Sequence, residues 1–135
     1  MQPTILIIDD NEDDVLITKV ALSKTGREFR TEIALSGEAG LKFIRAEKTP
    51  PKLILLDLKM PRMDGIEVLR KIRDDERLSG TPVIMVTNSK LESDEQAAVK
   101  AGADSFLHKA TDLDQFKKDI ARVLECWLDN NSTHH

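Results

Sequence analysis

With 135 residues, 40% of them hydrophobic, the chain is long enough to bury one core and too short for two. A formal net charge of -4, with Lys and Arg interspersed among Asp and Glu, argues against a nucleic-acid surface. A single cysteine, Cys126, excludes an internal disulfide, no apolar run approaches the ~18 residues of a membrane span, and MQPTILIIDD lacks the segments of a secretion signal, so a cytoplasmic protein is expected.

Ile5 to Ile8 is an apolar run ending in Asp9 and Asp10, and a helical pattern follows from about Asp13 through Val15, Leu16, Val20 and Leu22 to a stop at Gly26. Arg30 to Leu35 alternates polar and apolar residues, which predicts a strand wet on one face and therefore at a sheet edge. Ser36 caps a second helix carrying Ala39, Leu41, Phe43 and Ile44, which stops before Pro50 and Pro51. Leu53 to Leu56 is apolar throughout, so both faces should be covered, and it leads directly into Asp57. Asp64 and Glu67 have capping-box spacing ahead of a helix burying Ile66, Val68, Leu69 and Ile72, and Ser79 and Gly80 release the chain. Val83 to Val86 is another wholly apolar strand, ending in Thr87. Ser89 and Glu92 repeat the capping-box spacing before a helix that runs to Ala101 and stops at Gly102. Ser105 to His108 is a shorter, more polar strand ending in Lys109. The last helix begins at Asp112 and sets Leu113, Phe116, Ile120, Val123 and Trp127 on one face. Residues 1–131 are expected to form one domain; His134 and His135, after Ser132 and Thr133, read as an expression-tag remnant in a tail over 132–135.

Five strands alternating with five helices imply right-handed βαβ crossovers and a doubly wound parallel sheet. The first, third and fourth strands are apolar on both faces and belong at the centre, which gives the flavodoxin-like order 2-1-3-4-5. Its switch point lies between the first and third strands, which end in Asp9, Asp10 and Asp57. Three carboxylates in one crevice require a proton or a cation, and an oxygen-only donor set with neither Cys nor His nearby suits Mg²⁺ better than zinc. Lys109 and one divalent ion would neutralise the three. A metal-bound Asp at a strand end can act as a nucleophile toward phosphorus, with Thr87 and Lys109 stabilising charge on the transferred group. Taken singly, each of these residues reads as an ordinary helix-start acid, helix-entry hydroxyl or solvated lysine; their coincidence at four strand ends does not.

The motifs IIDD, LLDLKMPRMDG, MVTNS and AGADSFLHK together closely resemble the receiver domain of two-component response regulators, from Thr4 to about Leu128. The resemblance implies that Asp57 accepts phosphate from a sensor histidine kinase or phosphotransfer protein. It further implies that Asp10, Asp57 and the backbone carbonyl of Lys59 ligate Mg²⁺, with Asp9 acting largely through water, that Thr87 and Lys109 bind the phosphoryl group, and that Phe106 is the switch aromatic. The DDERLSGTPV segment and the aromatic end of the last helix resemble the stand-alone regulators of phytochrome-type or hybrid kinases. Output is then expected through phosphorylation-dependent binding to a downstream protein or a second copy, with a stripe ending in Leu124, Trp127 and Leu128 as one contact. Lys109 is followed by Ala110 where the family usually has proline, and a trans bond is expected there.

Two other classes compete. A Mg²⁺-dependent phosphatase with an Asp nucleophile generally carries a second Asp two residues on, where this chain has Lys59, so turnover on outside substrates is not expected. A receiver-like module that is never phosphorylated would have no need of intact acidic, Thr and Lys positions.

Overall fold

In the computed structural model, residues 2–109 and 112–129 are described. The elements follow in the order β1 (Thr4–Ile8), α1 (Glu12–Ser23), β2 (Arg30–Ala34), α2 (Gly37–Ala46), β3 (Leu53–Leu56), α3 (Gly65–Asp74), β4 (Val83–Thr87), α4 (Glu92–Ala101), β5 (Ser105–His108) and α5 (Leu113–Leu124). The five strands form one sheet in the order β2-β1-β3-β4-β5, parallel throughout, as the distribution of apolar strands requires. Side chains alternate across the central strands and divide the core in two. Leu6, Ile8, Ile54, Leu56, Val83 and Met85 meet α2, α3 and α4, while Ile5, Ile7, Leu53, Leu55, Ile84 and Val86 meet α1 and α5. Among the described residues no helix is long and apolar enough to cross a membrane.

Local signals set most boundaries. The Asn11 side chain accepts the Asp14 N–H and starts α1, Ser36 caps α2, and Asp64 with Glu67 completes the capping box of α3. Four expectations are corrected. Helix α1 ends at Ser23, three residues before Gly26, which lies in the following loop with φ 74°. Helix α3 ends at Asp74, and a short 3₁₀ turn, Glu76–Leu78, precedes Ser79. Ser89 does not cap α4: its hydroxyl donates to Asp94, and Leu91 is the N-cap, with no side-chain cap bond. Regular α5 ends at Leu124 and a π-type turn, Glu125–Asp129, follows, with Trp127 packed on the same core as Phe116, Ile120 and Val123.

The stripe expected as a contact surface is largely consumed by the fold. Leu124 is fully buried and Trp127 and Leu128 pack on the second core, whereas Leu113 is exposed instead. Leu91, the N-cap of α4, and Val99 within it are more exposed apolar side chains than Leu113. The tail over 132–135 and Ala110 lie outside the described residues, and with them the Lys109 to Ala110 bond.

One arginine ties together the connections opposite the strand ends that carry the acids. Arg73 of α3 donates Nε to Gly102 O at 2.9 Å, Nη1 to Leu78 O and Thr81 O at 3.1 and 3.0 Å, and Nη2 to Asp104 Oδ2 at 2.8 Å. Asp104 in turn accepts the Val83 N–H at the start of β4. Truncation strands several half-buried acceptors, so Arg73→Ala should cost about 2 kcal/mol. Urea unfolding would measure it, and an unchanged midpoint would show that water replaces the clamp at no cost.

Candidate functional site

The site is assembled by strand pairing. Ile8 lies opposite Leu56, so the residues that follow, Asp9 and Asp57, emerge side by side from β1 and β3. The Asp57 N–H donates to Ile8 O at 2.8 Å and the Asp9 N–H to Ala34 O at 3.0 Å, which continues the ladder past the strand ends. Thr87 ends β4, and its carbonyl accepts the Lys109 N–H at 2.7 Å. Four strand ends thereby converge on one crevice.

Asp9, Asp10 and Asp57 each present a carboxylate oxygen, all within 4.8 Å of one another; Asp9 and Asp57 are buried and Asp10 is exposed. A cluster of three carboxylates open to water on one side fits a hard divalent cation that keeps part of its hydration shell, as Mg²⁺ does. Lys109 sits against the cluster, its Nζ 2.9 Å from Asp9 Oδ2 and 3.2 Å from Asp57 Oδ1. The Thr87 side chain is buried, and its hydroxyl oxygen accepts the Ser89 N–H at 3.1 Å. Phe106 is half-buried on the first core, edge-on to His108 with ring centroids 5.5 Å apart.

Burial lifts the Asp57 carboxyl from an ordinary 3.8 to about 6, against the pull of Lys109 and with the help of Asp9 and Asp10. Burial works in the opposite sense on Lys109, yet its hydrogen bonds to Asp14 and Asp9 outweigh it and hold the ammonium above its usual range. Lys109 therefore keeps its positive charge, while burial disfavours the charge on Asp57.

Asp14 is the participant that sequence reasoning passed over. Its Oδ2 lies 2.8 Å from Lys109 Nζ, the shortest of the lysine's three ion pairs. A first-turn acid of α1 carries no signal of its own, but Val15 beside it and Thr18 one turn on are buried, which marks its side of the helix as inward. With Asp14 counted, the neutrality expected of three carboxylates, Lys109 and a divalent ion is missed by one negative charge. The Lys59 side chain turns away from the acids, with its ammonium 3.4 Å from Asp94 Oδ2 on α4. That same Asp94 accepts the Ser89 hydroxyl, a bond that holds its carboxyl below the usual range.

Comparison with known proteins agrees with this architecture. Residues 5–121 match the response regulator receiver domain family. Over 92% of this chain and 83% of its own length, the probable methanogenesis regulatory protein FilR2 of Methanothrix harundinacea is 31% identical. The chain spans less than half the length of two transcriptional regulatory proteins that it also matches, 44% and 43%. Among solved structures, the phosphorylated cyanobacterial phytochrome response regulator RcpA superposes with a TM-score of 0.87 at 27% identity, covering 96% of both chains. The Mn²⁺-bound form of response regulator Rcp1 gives 0.83 at 28% identity, covering 94% of this chain and 95% of that one.

Proposed function

The chain belongs to the response regulator receiver domain family of two-component signalling, and from that premise we propose that it accepts a phosphoryl group on Asp57 from a histidine kinase or phosphotransfer protein in a Mg²⁺-dependent reaction. The observation that carries the reading is the meeting of Asp9, Asp10 and Asp57 with the Lys109 ammonium, 3.2 Å from Asp57 Oδ1. Asp10, Asp57 and the Lys59 carbonyl would ligate the metal, with Asp9 reaching it through water. When bound, Mg²⁺ supplies neutralisation of phosphoryl oxygen charge.

The chain's own groups account for the rest. One Asp57 carboxylate oxygen attacks phosphorus while the bond from phosphorus to the donor histidine nitrogen breaks, and that nitrogen keeps the electron pair. Asp57 must be ionised to attack, and at a neutral pH it is, since its carboxyl titrates near 6. Lys109 stands where charge collects on the equatorial oxygens, and Thr87 exchanges its bond from Ser89 for one to the phosphoryl group. Movement of Thr87 opens space for Phe106 to turn inward from its half-buried position on β5. Output follows through protein binding at the altered α4 and β5 face, where Leu91 and Val99 are exposed. Two charge-assisted hydrogen bonds at ~1.5 to 3 kcal/mol each give ~3 to 6 kcal/mol, a range that reaches the ~5.5 needed to invert a 1:99 equilibrium at its upper end. A phosphatase would need an acid two residues after Asp57, and Lys59 with its ammonium on Asp94 offers none.

Intact-mass and peptide analysis after acetyl phosphate treatment with Mg²⁺ tests the reading. A single phosphoryl adduct on Asp57, lost in Asp57→Ala and in the absence of divalent metal, is expected. Full-yield modification of Asp57→Ala would refute it.

A further inference from the structure

We propose that Asp14 is a positioning residue for phosphoryl transfer, which keeps the Lys109 ammonium at the acceptor when a divalent cation occupies the neighbouring carboxylates. The inference rests on the reading of Asp57 as phosphoacceptor and adds a residue to it. An ammonium has three protons to donate, and here all three are directed at carboxylates: Asp14 at 2.8 Å, Asp9 at 2.9 Å and Asp57 at 3.2 Å. Two of these acceptors belong to the metal triad. A cation placed there competes with Lys109 for the same oxygens and repels the ammonium itself. Asp9 has little to spare, since its Oδ1 already accepts the Asn11 N–H at 3.0 Å. Asp14 lies outside the triad and gives up nothing.

The anchor is also held firmly. The Asn11 side chain accepts the Asp14 N–H at 3.0 Å, and Val15 beside it is buried, so the first turn of α1 is fixed at both its cap and its core face. Lysine carries a long stem with much rotamer freedom, and a tether from α1 restrains it where the strand end alone does not. The longest of the three contacts, to Asp57, is the one exchanged during reaction. As Asp57 attacks acetyl phosphate, the bond from phosphorus to the acetate oxygen breaks and acetate departs with the electron pair. Lys109 then swings from Asp57 Oδ1 to a phosphoryl oxygen while remaining paired to Asp14. The role is distinct from a general attraction of metal: a mere extra negative charge would change Mg²⁺ affinity, whereas a tether changes the rate once metal is saturating.

The experiment uses the full chain with acetyl phosphate as donor, and follows the phosphorylation rate against Mg²⁺ concentration in wild type, Asp14→Asn and Asp14→Glu. Mg²⁺ affinity and thermal midpoint are measured separately for each. In Asp14→Asn the rate at saturating Mg²⁺ should fall about tenfold, the lower end of what losing an outer orienting partner costs. Its Mg²⁺ dissociation constant should stay within about threefold of wild type, and Asp14→Glu, which restores the charge, should recover most of the rate. A shifted Mg²⁺ midpoint with an unchanged saturated rate would overturn the proposal. So would equal slowing in both variants with a lowered thermal midpoint, which is the mark of a structural role. A wild-type chain that takes no label would instead refute the acceptor reading, and this proposal with it.

Discussion

Asp57→Asn should stabilise the metal-free protein at pH 7 and have little effect near pH 4. The folded state holds the Asp57 carboxyl at about 6, above the 3.8 it has when unfolded, so its ionisation favours unfolding. Well below pH 3.8 the group is protonated in both states and costs nothing, and at pH 4 the cost has only begun to appear. Between 4 and 6 only the unfolded chain releases its proton, and stability falls as pH rises; above 6 the loss is complete. A shift of about two units corresponds to ~3 kcal/mol, and screening by water at the open rim reduces it to about 2. Asparagine removes the penalty because it carries no charge to desolvate. The variant should also lose its response to Mg²⁺, which at a hundred times its dissociation constant would stabilise the wild type by ~2.7 kcal/mol. Urea unfolding across pH 4 to 8, with and without Mg²⁺, measures both effects. If Asp57→Asn were no more stable than wild type at pH 7, then burial of this carboxylate is not what limits the metal-free fold.

That penalty sits beside the mechanism proposed for the site: a carboxylate poorly accommodated as an anion has most to gain from a cation or from conversion to an acyl phosphate. What the sequence conveyed of this was governed by distance along the chain. The strand order was legible because Ile5 to Ile8, Leu53 to Leu56 and Val83 to Val86 lack a polar face, which only central strands tolerate. Once the order was known, the placement of Asp9, Asp57, Thr87 and Lys109 at one edge followed from topology. Asp14 did not follow, because its meaning depends on Lys109, 95 residues away, and a first-turn acid is favoured by the helix dipole whether or not it has such a partner. Arg73 was hidden for the same reason, since the carbonyls it binds belong to three later segments. Ser89 misled differently. Its spacing to Glu92 is that of a capping box, but α4 begins at Glu92 itself, and the Ser89 hydroxyl donates to Asp94 and accepts the Leu91 N–H ahead of the helix. At the end of α5 the regular helical period gives way to a turn of wider pitch, yet Trp127 still packs on the second core with Phe116, Ile120 and Val123, as that period implied.

Gly65→Ala should cost about 3 kcal/mol and impair phosphorylation as well, although alanine is the better helix former. Gly65 opens α3, and its N–H donates to Leu58 O at 2.8 Å, which brings the helix start against the segment that carries the acceptor. A Cβ at that position would clash with the Asp57 carbonyl oxygen and lie 2.9 Å from both Leu58 Cα and Met85 Cε. The methionine end can turn aside, but the two backbone atoms cannot without moving Asp57. Relief requires either lifting the N-terminus of α3 off the sheet or displacing the Asp57 backbone, which would break its 2.8 Å bond to Ile8 O. Helix propensity gains at most ~1 kcal/mol, and less at a first position, so the clash decides the sign. Gly80 provides the matched control, because a Cβ there meets nothing within 4 Å and its backbone is not left-handed. Gly80→Ala should stay within about 0.5 kcal/mol of wild type. Urea unfolding and acetyl phosphate labelling of the two variants together separate stability from positioning. In Gly65→Ala, labelling should remain slow even at temperatures and Mg²⁺ concentrations at which the variant is fully folded. Wild-type labelling by the folded variant would mean that Asp57 is positioned without support from α3.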